Sequence, residues 1–308
     1  MLTRPFTGVI AAPMLPMFED GEIDWSTLER YIDWIASQKP AAIVMNVDAS
    51  EVIALDDAEQ LRIIEACRTV VAGRVPLISG VVAGSTRAAA RKAQLLRDAG
   101  AQGLTVFPPF PTFSGTPVPA DMIVRFHRAI AQAAQLPIVC FQFPKGWGPD
   151  YTPEILRAMA DIPQLVAMKE SSFDVGQTMQ AIEVAHALAQ PIGVLTGSDT
   201  FIFEAMVMGC DGALIGFAGT ATAELVAMHD AVRRGDLAAG RAIWQRLGPI
   251  ARYCWRLPIR DFRPRMKEVL RLQGLFPSAA CREPQLGIAA AERAEIAQLC
   301  RAQGLIPH

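Results

Sequence analysis

The lysines of this chain are the side chains from which a chemical role can first be argued. Lysine occurs only at Lys39, Lys92, Lys145, Lys169 and Lys267. We expect four of them to lie in polar surroundings or loops, whereas Lys169 closes the apolar run at residues 165–168. A lysine at the end of such a run is either buried or emerges where the run ends.

Burial would give Lys169 a chemical role. Desolvation disfavours the ammonium form and makes the neutral amine available as a nucleophile toward a carbonyl. The resulting Schiff base is an electron sink that permits carbon–carbon cleavage or formation, or loss of water, next to the former carbonyl. The alternative is a lysine that reaches solvent at a strand end, or one that pairs with Glu170.

Composition limits the partners of the chain. With 308 residues, it can form one large domain with an extension, or two ordinary domains. Half of the residues (51%) are hydrophobic and the net charge is −2, so a packed globular protein is expected, with no basic surface for nucleic acid. No apolar stretch reaches the ~20 residues needed to cross a membrane. We therefore expect a small-molecule partner, with no nucleic acid and no membrane.

Cysteine and histidine patterns argue against metals and cofactors. The six cysteines form no C-x-x-C, so neither a zinc site nor a disulfide framework is indicated, and the reducing cytoplasm is the expected location. The histidines form no H-x-x-x-H cluster, and no glycine-rich nucleotide motif occurs. They are His127, His186, His229 and His308. We expect no metal and no cofactor.

Short apolar runs recur along the chain with helical patterns between them. They occupy residues 8–12, 42–47, 75–80, 103–107, 137–141, 165–169, 193–196 and 212–216. Continuous apolar runs are typical of parallel strands that are buried on both faces. Eight such units predict a (β/α)8 TIM barrel. A doubly wound sheet competes, but it usually has fewer strands and a glycine-rich first turn.

The pattern beyond the eighth run is helical to the end of the chain. Helices are predicted at residues 223–234, 237–255, 264–273 and 289–303. We expect residues 1–222 to form the barrel, and residues 223–308 to form its last helix and a C-terminal helical extension. The predicted role of that extension is packing or assembly.

Several segments resemble one known family over essentially the whole chain. They are "GVIAAPMLPMFEDGEID", "AGRVP", "GLTVFPP", "VAMKESS", "LTGSD" and "MGCDGALIGFAG". The family is that of dihydrodipicolinate synthase and N-acetylneuraminate lyase, the pyruvate-type class I aldolases. The resemblance implies a TIM barrel, a Schiff-base lysine at Lys169, and dimers or tetramers.

The chain also departs from the family pattern at its expected site. Where the family has tandem hydroxyl residues that hold a carboxylate and relay protons, this chain reads Val47-Asp48-Ala49-Ser50-Glu51. The proton-shuttling tyrosine falls on Phe141, and the tyrosine lent by a neighbouring subunit falls on Phe110. The position of the carboxylate-binding arginine falls on Gly146, next to Lys145.

Substitutes for the missing relay can be proposed. We expect Asp48, at the end of the second strand, to face the cavity of Lys169 and to act in proton transfer; the alternative is that it caps a turn or binds backbone amides. Ser50 partly replaces the missing hydroxyls, beside Ala49. Lys145 either binds a substrate carboxylate or is an ordinary loop lysine.

The resemblance also places Leu214 in the oxo-acid pocket, where its backbone contacts the substrate. Phe141 and nearby aromatic residues predict an apolar mouth and hint at a hydrophobic substrate. We expect a Schiff-base lyase, aldolase or dehydratase, that acts on a 2-oxo acid. The alternatives are an authentic 4-hydroxy-tetrahydrodipicolinate synthase, against which Phe141 argues, and a non-catalytic barrel that binds a metabolite.

Overall fold

A computed structural model describes residues 2–114 and 117–306. Eight parallel strands form a closed barrel in chain order, with β1 paired to both β2 and β8. The strands are β1 (Gly8–Ala11), β2 (Ala42–Met45), β3 (Leu77–Val81), β4 (Gly103–Val106), β5 (Ile138–Gln142), β6 (Leu165–Glu170), β7 (Gly193–Thr196) and β8 (Gly212–Ile215). The predicted TIM barrel is confirmed.

Burial on both faces explains why the apolar runs became strands. Every strand residue is buried, since the inner face fills the barrel and the outer face lies under the helices. Each observed strand end lies within two residues of the predicted one. The carboxyl ends of the strands therefore meet at one mouth, where barrel enzymes place reacting groups.

Helices follow the strands, and local residues in the sequence mark where some of them begin and end. They are α1 (Trp25–Ser37), α2 (Asp57–Val71), α3 (Thr86–Ala99), α4 (Ala120–Ala134), α5 (Pro153–Met159), α6 (Val175–His186), α7 (Ile202–Met208), α8 (Thr222–Arg233), α9 (Leu237–Cys254), α10 (Phe262–Leu272) and α11 (Ala290–Ala302). Asp56 and Glu59 form a capping box at α2. Gly100 ends α3 in the left-handed conformation. Within the described residues, no helix is both long and apolar enough to cross a membrane.

The C-terminal extension is tied to the loop that follows β2. Lys267, on α10, is fully buried and forms an ion pair with Glu51. The backbone N–H of Arg282 donates a hydrogen bond of 3.0 Å to the second carboxylate oxygen of Glu51. The contacts of Lys267 are polar, as expected for the four lysines other than Lys169, but they lie in the interior because α10 packs against the barrel mouth. The chosen boundary at residue 222 stays a prediction.

Candidate active site

Lys169 lies near the carboxyl end of β6, where its side chain reaches the barrel mouth. Only 9% of the residue is exposed to solvent. Its Nζ lies 4.0 Å from the centroid of the Phe141 ring, which the neighbouring strand β5 places directly opposite Lys169. Within the described part of the chain, Nζ has neither a hydrogen bond nor an ion pair within 4 Å. The aromatic face is thus its nearest electrostatic partner.

Burial changes the acid–base behaviour of this lysine. Desolvation lowers the pKa of Lys169 to about 8, and the negative charges of Asp199 and Asp48 oppose that change. At pH 7 about a tenth of the Lys169 side chains is therefore in the neutral amine form, far more than at the ordinary pKa of 10.5. Such an amine can attack a carbonyl carbon.

Asp199 is the buried acid that faces Lys169. It follows β7 and is only 3% exposed, and its Oδ1 accepts a hydrogen bond of 2.8 Å from the backbone N–H of Phe217. Burial raises the pKa of Asp199 to about 7, against the lowering effects of that hydrogen bond and of the Lys169 charge. An acid with this pKa can both accept and donate a proton near neutrality.

Sequence reasoning did not single out Asp199, although the segment "LTGSD" ends on it. A usable signal was present, because a carboxylate that follows a barrel strand by three residues lies at the mouth. The same segment contains Gly197. A Cβ atom there would lie 1.8 Å from Ser171 Oγ and 2.6 Å from Lys169 Cε, so only glycine leaves room for both side chains.

Asp48 faces the same cavity from a short 3-10 turn, Asp48–Ser50, after β2. Its carboxylate neither caps that turn nor binds backbone amides in the described structure. Instead, Arg263 Nη2 lies 2.9 Å from Asp48 Oδ1, and Arg263 Nε donates a hydrogen bond of 2.6 Å to the backbone carbonyl of Asp48. This arginine comes from α10 and was not foreseen, because no local pattern links positions 215 residues apart.

The structure brings only some of the predicted site residues together. Lys169, Asp48, Ala49 and Phe141 line one cavity of about 300 Å³. Three others lie outside its lining. Ser50 is fully buried, and its hydroxyl is hydrogen-bonded to the backbone of Val47. Leu214 is fully buried within β8, and Lys145 forms an exposed ion pair of 3.0 Å with Asp174.

The remaining cavity wall is largely aromatic. Phe141 and Phe143 line the cavity and stack with ring centroids 4.5 Å apart, and Phe107 packs against both rings from outside the lining. The C-terminal extension supplies the opposite wall, with residues Trp255, Ile259, Arg260, Phe262 and Arg263. The extension, predicted to serve packing or assembly, therefore also shapes the cavity.

Metal-binding residues are not gathered at this site. Across residues 2–114 and 117–306, no group of three or more His, Cys, Asp or Glu side chains could hold a metal ion. His308, the last of the four histidines, lies outside the described residues. The charged and hydroxyl groups in the cavity lining are one amine, two carboxylates, two guanidinium groups and the hydroxyl of Ser171.

A closed (β/α)8 barrel that holds a desolvated lysine at the mouth end of β6 has the features of a class I aldolase-type enzyme. A family model described as the Dihydrodipicolinate synthetase family matches residues 5–303. The chain belongs to this family, as its motifs indicated, and it is an enzyme of the lyase class.

Known relatives match most of the chain at low identity. A 4-hydroxy-tetrahydrodipicolinate synthase of Thermomicrobium roseum is 30% identical over 286 residues, which cover 93% of this chain and 91% of the relative. The synthase of Gluconacetobacter diazotrophicus is 27% identical and covers 99% of this chain and 100% of the relative. A probable 2-dehydro-3-deoxy-D-pentonate aldolase of Escherichia coli K12 is 26% identical, with 99% of both chains covered.

Solved structures share the fold at still lower identity. Dihydrodipicolinate synthase of Acinetobacter baumannii, complexed with pyruvate, has a TM-score of 0.87 at 24% identity and covers 97% of this chain and 99% of its own. A prophage protein of the same family from E. coli K12, also in complex with pyruvate, has a TM-score of 0.88 at 24% identity, with the same coverage. These similarities support the fold.

Proposed function

We propose that this protein is a lyase that forms a Schiff base between Lys169 and the carbonyl carbon of a 2-oxo acid, and then cleaves or forms a carbon–carbon bond or removes water. The observation that carries the proposal is the desolvated amine of Lys169, which stands in the cavity without a hydrogen-bonding partner among the described residues. Pyruvate bound to the two solved family members named above is consistent with this substrate class.

In the proposed reaction, the neutral amine of Lys169 adds to the carbonyl carbon, and uptake of one proton with loss of water gives a protonated imine. For cleavage, a base removes the proton of a hydroxyl group two carbons from the imine carbon. The bond between the hydroxyl-bearing carbon and the carbon next to the imine carbon breaks, and its electron pair moves into the imine to give an enamine and an aldehyde. Protonation of the enamine and hydrolysis then release the shortened 2-oxo acid and the free lysine.

We assign the proton transfer to Asp199. Phe141 stands where the family has its tyrosine and carries no exchangeable proton. Asp199 is buried in the same cavity, and its pKa of about 7 suits both directions of transfer. Asp48, which the sequence suggested for this role, is held by Arg263 and acts here as a charge partner of Lys169.

The second candidate is authentic 4-hydroxy-tetrahydrodipicolinate synthase activity. Several relatives carry that name, which favours it. The phenyl ring of Phe141 and the exposed ion pair of Lys145 with Asp174 argue against it, because the proton shuttle and a candidate carboxylate ligand are both missing from the cavity. A barrel that binds a metabolite without turnover is the non-catalytic alternative.

Location and assembly remain proposals of the same kind. We propose that the protein works in the cytoplasm, for which its cysteines, free of disulfides in the described structure, are suited. We also propose a homodimer or homotetramer. Phe110 and Trp147 are 68% and 56% exposed near the mouth, and large exposed apolar side chains of this kind favour contact with another subunit.

Borohydride trapping with a panel of 2-oxo acids tests the proposal. Reduction of the imine fixes the acid to the protein, so intact mass should show one adduct per chain and peptide mapping should place it on Lys169. The Lys169→Ala variant is the control and should give no adduct. Absence of an adduct with every acid, under conditions that trap a known class I aldolase, would contradict the proposed chemistry.

Exchange of the methyl protons of pyruvate with deuterated water tests the role of Asp199. The wild-type enzyme should catalyse this exchange, because the enamine must be protonated and deprotonated. Asp199→Asn should slow exchange by about 100-fold or more while pyruvate trapping persists. A metabolite-binding barrel would show no exchange. Equal exchange in wild type and Asp199→Asn would assign the proton transfer to another group.

A further inference from the structure

Two arginines of the C-terminal extension stand at the outer end of the active-site cavity. Arg263 lies on α10, and Arg260 lies in the 3-10 turn Ile259–Asp261 just before it. Both line the cavity that contains Lys169. Both also line a second cavity of about 480 Å³, here called the outer cavity, whose remaining lining residues come from residues 51–54 and 282–285. They therefore stand between the reacting amine and the protein surface.

The hydrogen-bonding capacity of these arginines is only partly used. Arg263 directs Nε and Nη2 to Asp48, while its Nη1 has no hydrogen-bond partner within the described residues. The side chain of Arg260 is 74% exposed, and its protein carboxylate neighbour is Asp261, at 3.3 Å. Asp261 itself lines neither cavity, and its carboxylate also accepts a hydrogen bond from the side chain of Gln285. Donors therefore remain available at the cavity mouth.

Charge at the mouth favours an anion. The lining of the active-site cavity carries three basic side chains, Lys169, Arg260 and Arg263, against the two carboxylates of Asp48 and Asp199, which leaves one positive charge in excess. Arg282, the other arginine of the outer cavity, already donates four hydrogen bonds, two to the carboxylate of Glu59 and two to backbone carbonyls. The anion-binding capacity is thus concentrated at Arg260 and Arg263.

We propose that Arg263 and Arg260 bind a carboxylate at the far end of the substrate, so that the 2-oxo acid bound at Lys169 carries a second acidic group. The inference rests on the proposed Schiff-base function and specifies its substrate class. A carboxylate fits here because Arg263 already binds that of Asp48, and a guanidinium can bind carboxylates along more than one edge. The aromatic wall between Lys169 and these arginines packs against the carbon chain of the substrate.

Pairs of 2-oxo acids with equal chain length separate this inference from the proposed function. The pairs are 2-oxovalerate with 2-oxoglutarate, and 2-oxohexanoate with 2-oxoadipate. Pyruvate has no second carboxylate and reports on Lys169 alone. The measurement is the rate of borohydride trapping at low acid concentration. In the wild type, the diacid of at least one pair should trap about tenfold faster than its monoacid, because a charge-assisted hydrogen bond contributes on that scale.

Three variants should change the ratio of diacid to monoacid trapping, two of them downward and one upward, and a control variant should leave it unchanged. Arg263→Gln and the exposed Arg260→Gln should each lower the diacid-to-monoacid ratio by threefold to tenfold, an order-of-magnitude expectation for one lost charged contact. Asp48→Asn should raise the ratio, because it removes the resident competitor for Arg263. Arg91→Gln, at an exposed position of α3 that lines neither cavity, should leave the ratio unchanged.

The outcomes separate the two proposals. Pyruvate trapping at Lys169 without preference for either diacid would overturn the inference and leave the proposed function intact. The inference would also fail if Arg263→Gln and Arg260→Gln slowed the diacid and the monoacid equally, because that result assigns the arginines to positioning of the loop after β2. Failure to trap any acid, pyruvate included, would overturn both proposals.

Discussion

Two buried lysines, Lys169 and Lys267, have opposite surroundings. Lys267 is fully buried on α10, where its ammonium pairs with Glu51 and donates a hydrogen bond of 2.6 Å to the carbonyl of Ala280. Lys169 is 9% exposed, and its Nζ contacts the face of Phe141 without a hydrogen bond among the described residues. Burial alone therefore does not make a lysine reactive, since a buried ammonium with satisfied donors serves the fold.

The difference follows from the elements around each amine. Lys267 joins the C-terminal extension to the loop after β2, and Glu51 accepts a further hydrogen bond from the backbone of Arg282. Lys169 faces an open cavity in which two carboxylates act at a distance. An amine that is removed from water and has no hydrogen-bond acceptors for its ammonium form can lose its proton and react.

The largest expected effect is on stability, where replacement of Lys267 and replacement of Lys169 should change the free energy of unfolding differently. Lys267→Met leaves Glu51 buried without its partner and should lower the free energy of unfolding by about 3–5 kcal/mol. Lys169→Met removes a desolvated charge and should leave stability unchanged or higher. Urea unfolding of both variants, followed by circular dichroism, measures the contrast.

A double variant guards against a misfolded Lys267→Met protein. Adding Glu51→Gln removes the uncompensated charge and should restore part of the lost stability, because the destabilisation comes from the unpaired carboxylate. If Lys267→Met and Lys169→Met were equally stable, the structural role given to Lys267 would be wrong.

Gly197→Ala should have the next largest effect. The new methyl group would lie 1.8 Å from Ser171 Oγ and 2.6 Å from Lys169 Cε, so both side chains must move. Displacement of the amine by about 1 Å should slow pyruvate trapping by on the order of 100-fold. Gly84→Ala is the matched control, because a Cβ at Gly84 meets no atom within 4 Å. Unchanged trapping in Gly197→Ala would show that this glycine does not fix the position of Lys169.

The sequence predicted the barrel well, because its evidence is local. Apolar runs, capping residues such as Asp56 and helix ends such as Gly100 each specify a nearby piece of backbone. Lys169 was found for the same reason, since it closes its own strand. The contacts of Asp48 with Arg263 and of Glu51 with Lys267 were missed, because tertiary packing joins segments more than 200 positions apart.

The pH dependence of imine formation tests the lowered pKa of Lys169. With a pKa of about 8 for Lys169 and about 7 for Asp199, the neutral amine and the ionised acid both increase as pH rises. The rate of imine formation with pyruvate should rise between pH 7 and 9 and level off above about pH 9, one unit beyond the pKa of Lys169. Stopped-flow or quenched trapping across this range measures it. A rate that keeps rising about tenfold per pH unit up to pH 10 would contradict the depressed pKa of Lys169, because an amine with the ordinary pKa of 10.5 behaves in this way.

The pH dependence of stability is a second measurement of the ionisation of Lys169. The pKa of Lys169 is lowered in the folded state from its ordinary value of 10.5, so between pH 8 and 10.5 the unfolded chain binds more protons at this site. The contribution of Lys169 to the free energy of unfolding should therefore increase with pH over that interval. Lys169→Met should lose this increase, whereas Arg91→Gln should retain it.

Phe141→Leu should have the smallest effect, and it examines the contact that distinguishes Lys169 most directly from Lys267. The aromatic face stabilises the ammonium by about 1 kcal/mol in a desolvated site, and 1.36 kcal/mol corresponds to one pKa unit. Loss of the ring should lower the pH midpoint of imine formation by somewhat less than about one pH unit. Phe143→Leu, which changes a ring stacked on Phe141, should leave the midpoint in place. Because the leucine also keeps the site apolar, a midpoint that stays unchanged in Phe141→Leu would mean that desolvation and the two carboxylates alone set the acidity of Lys169.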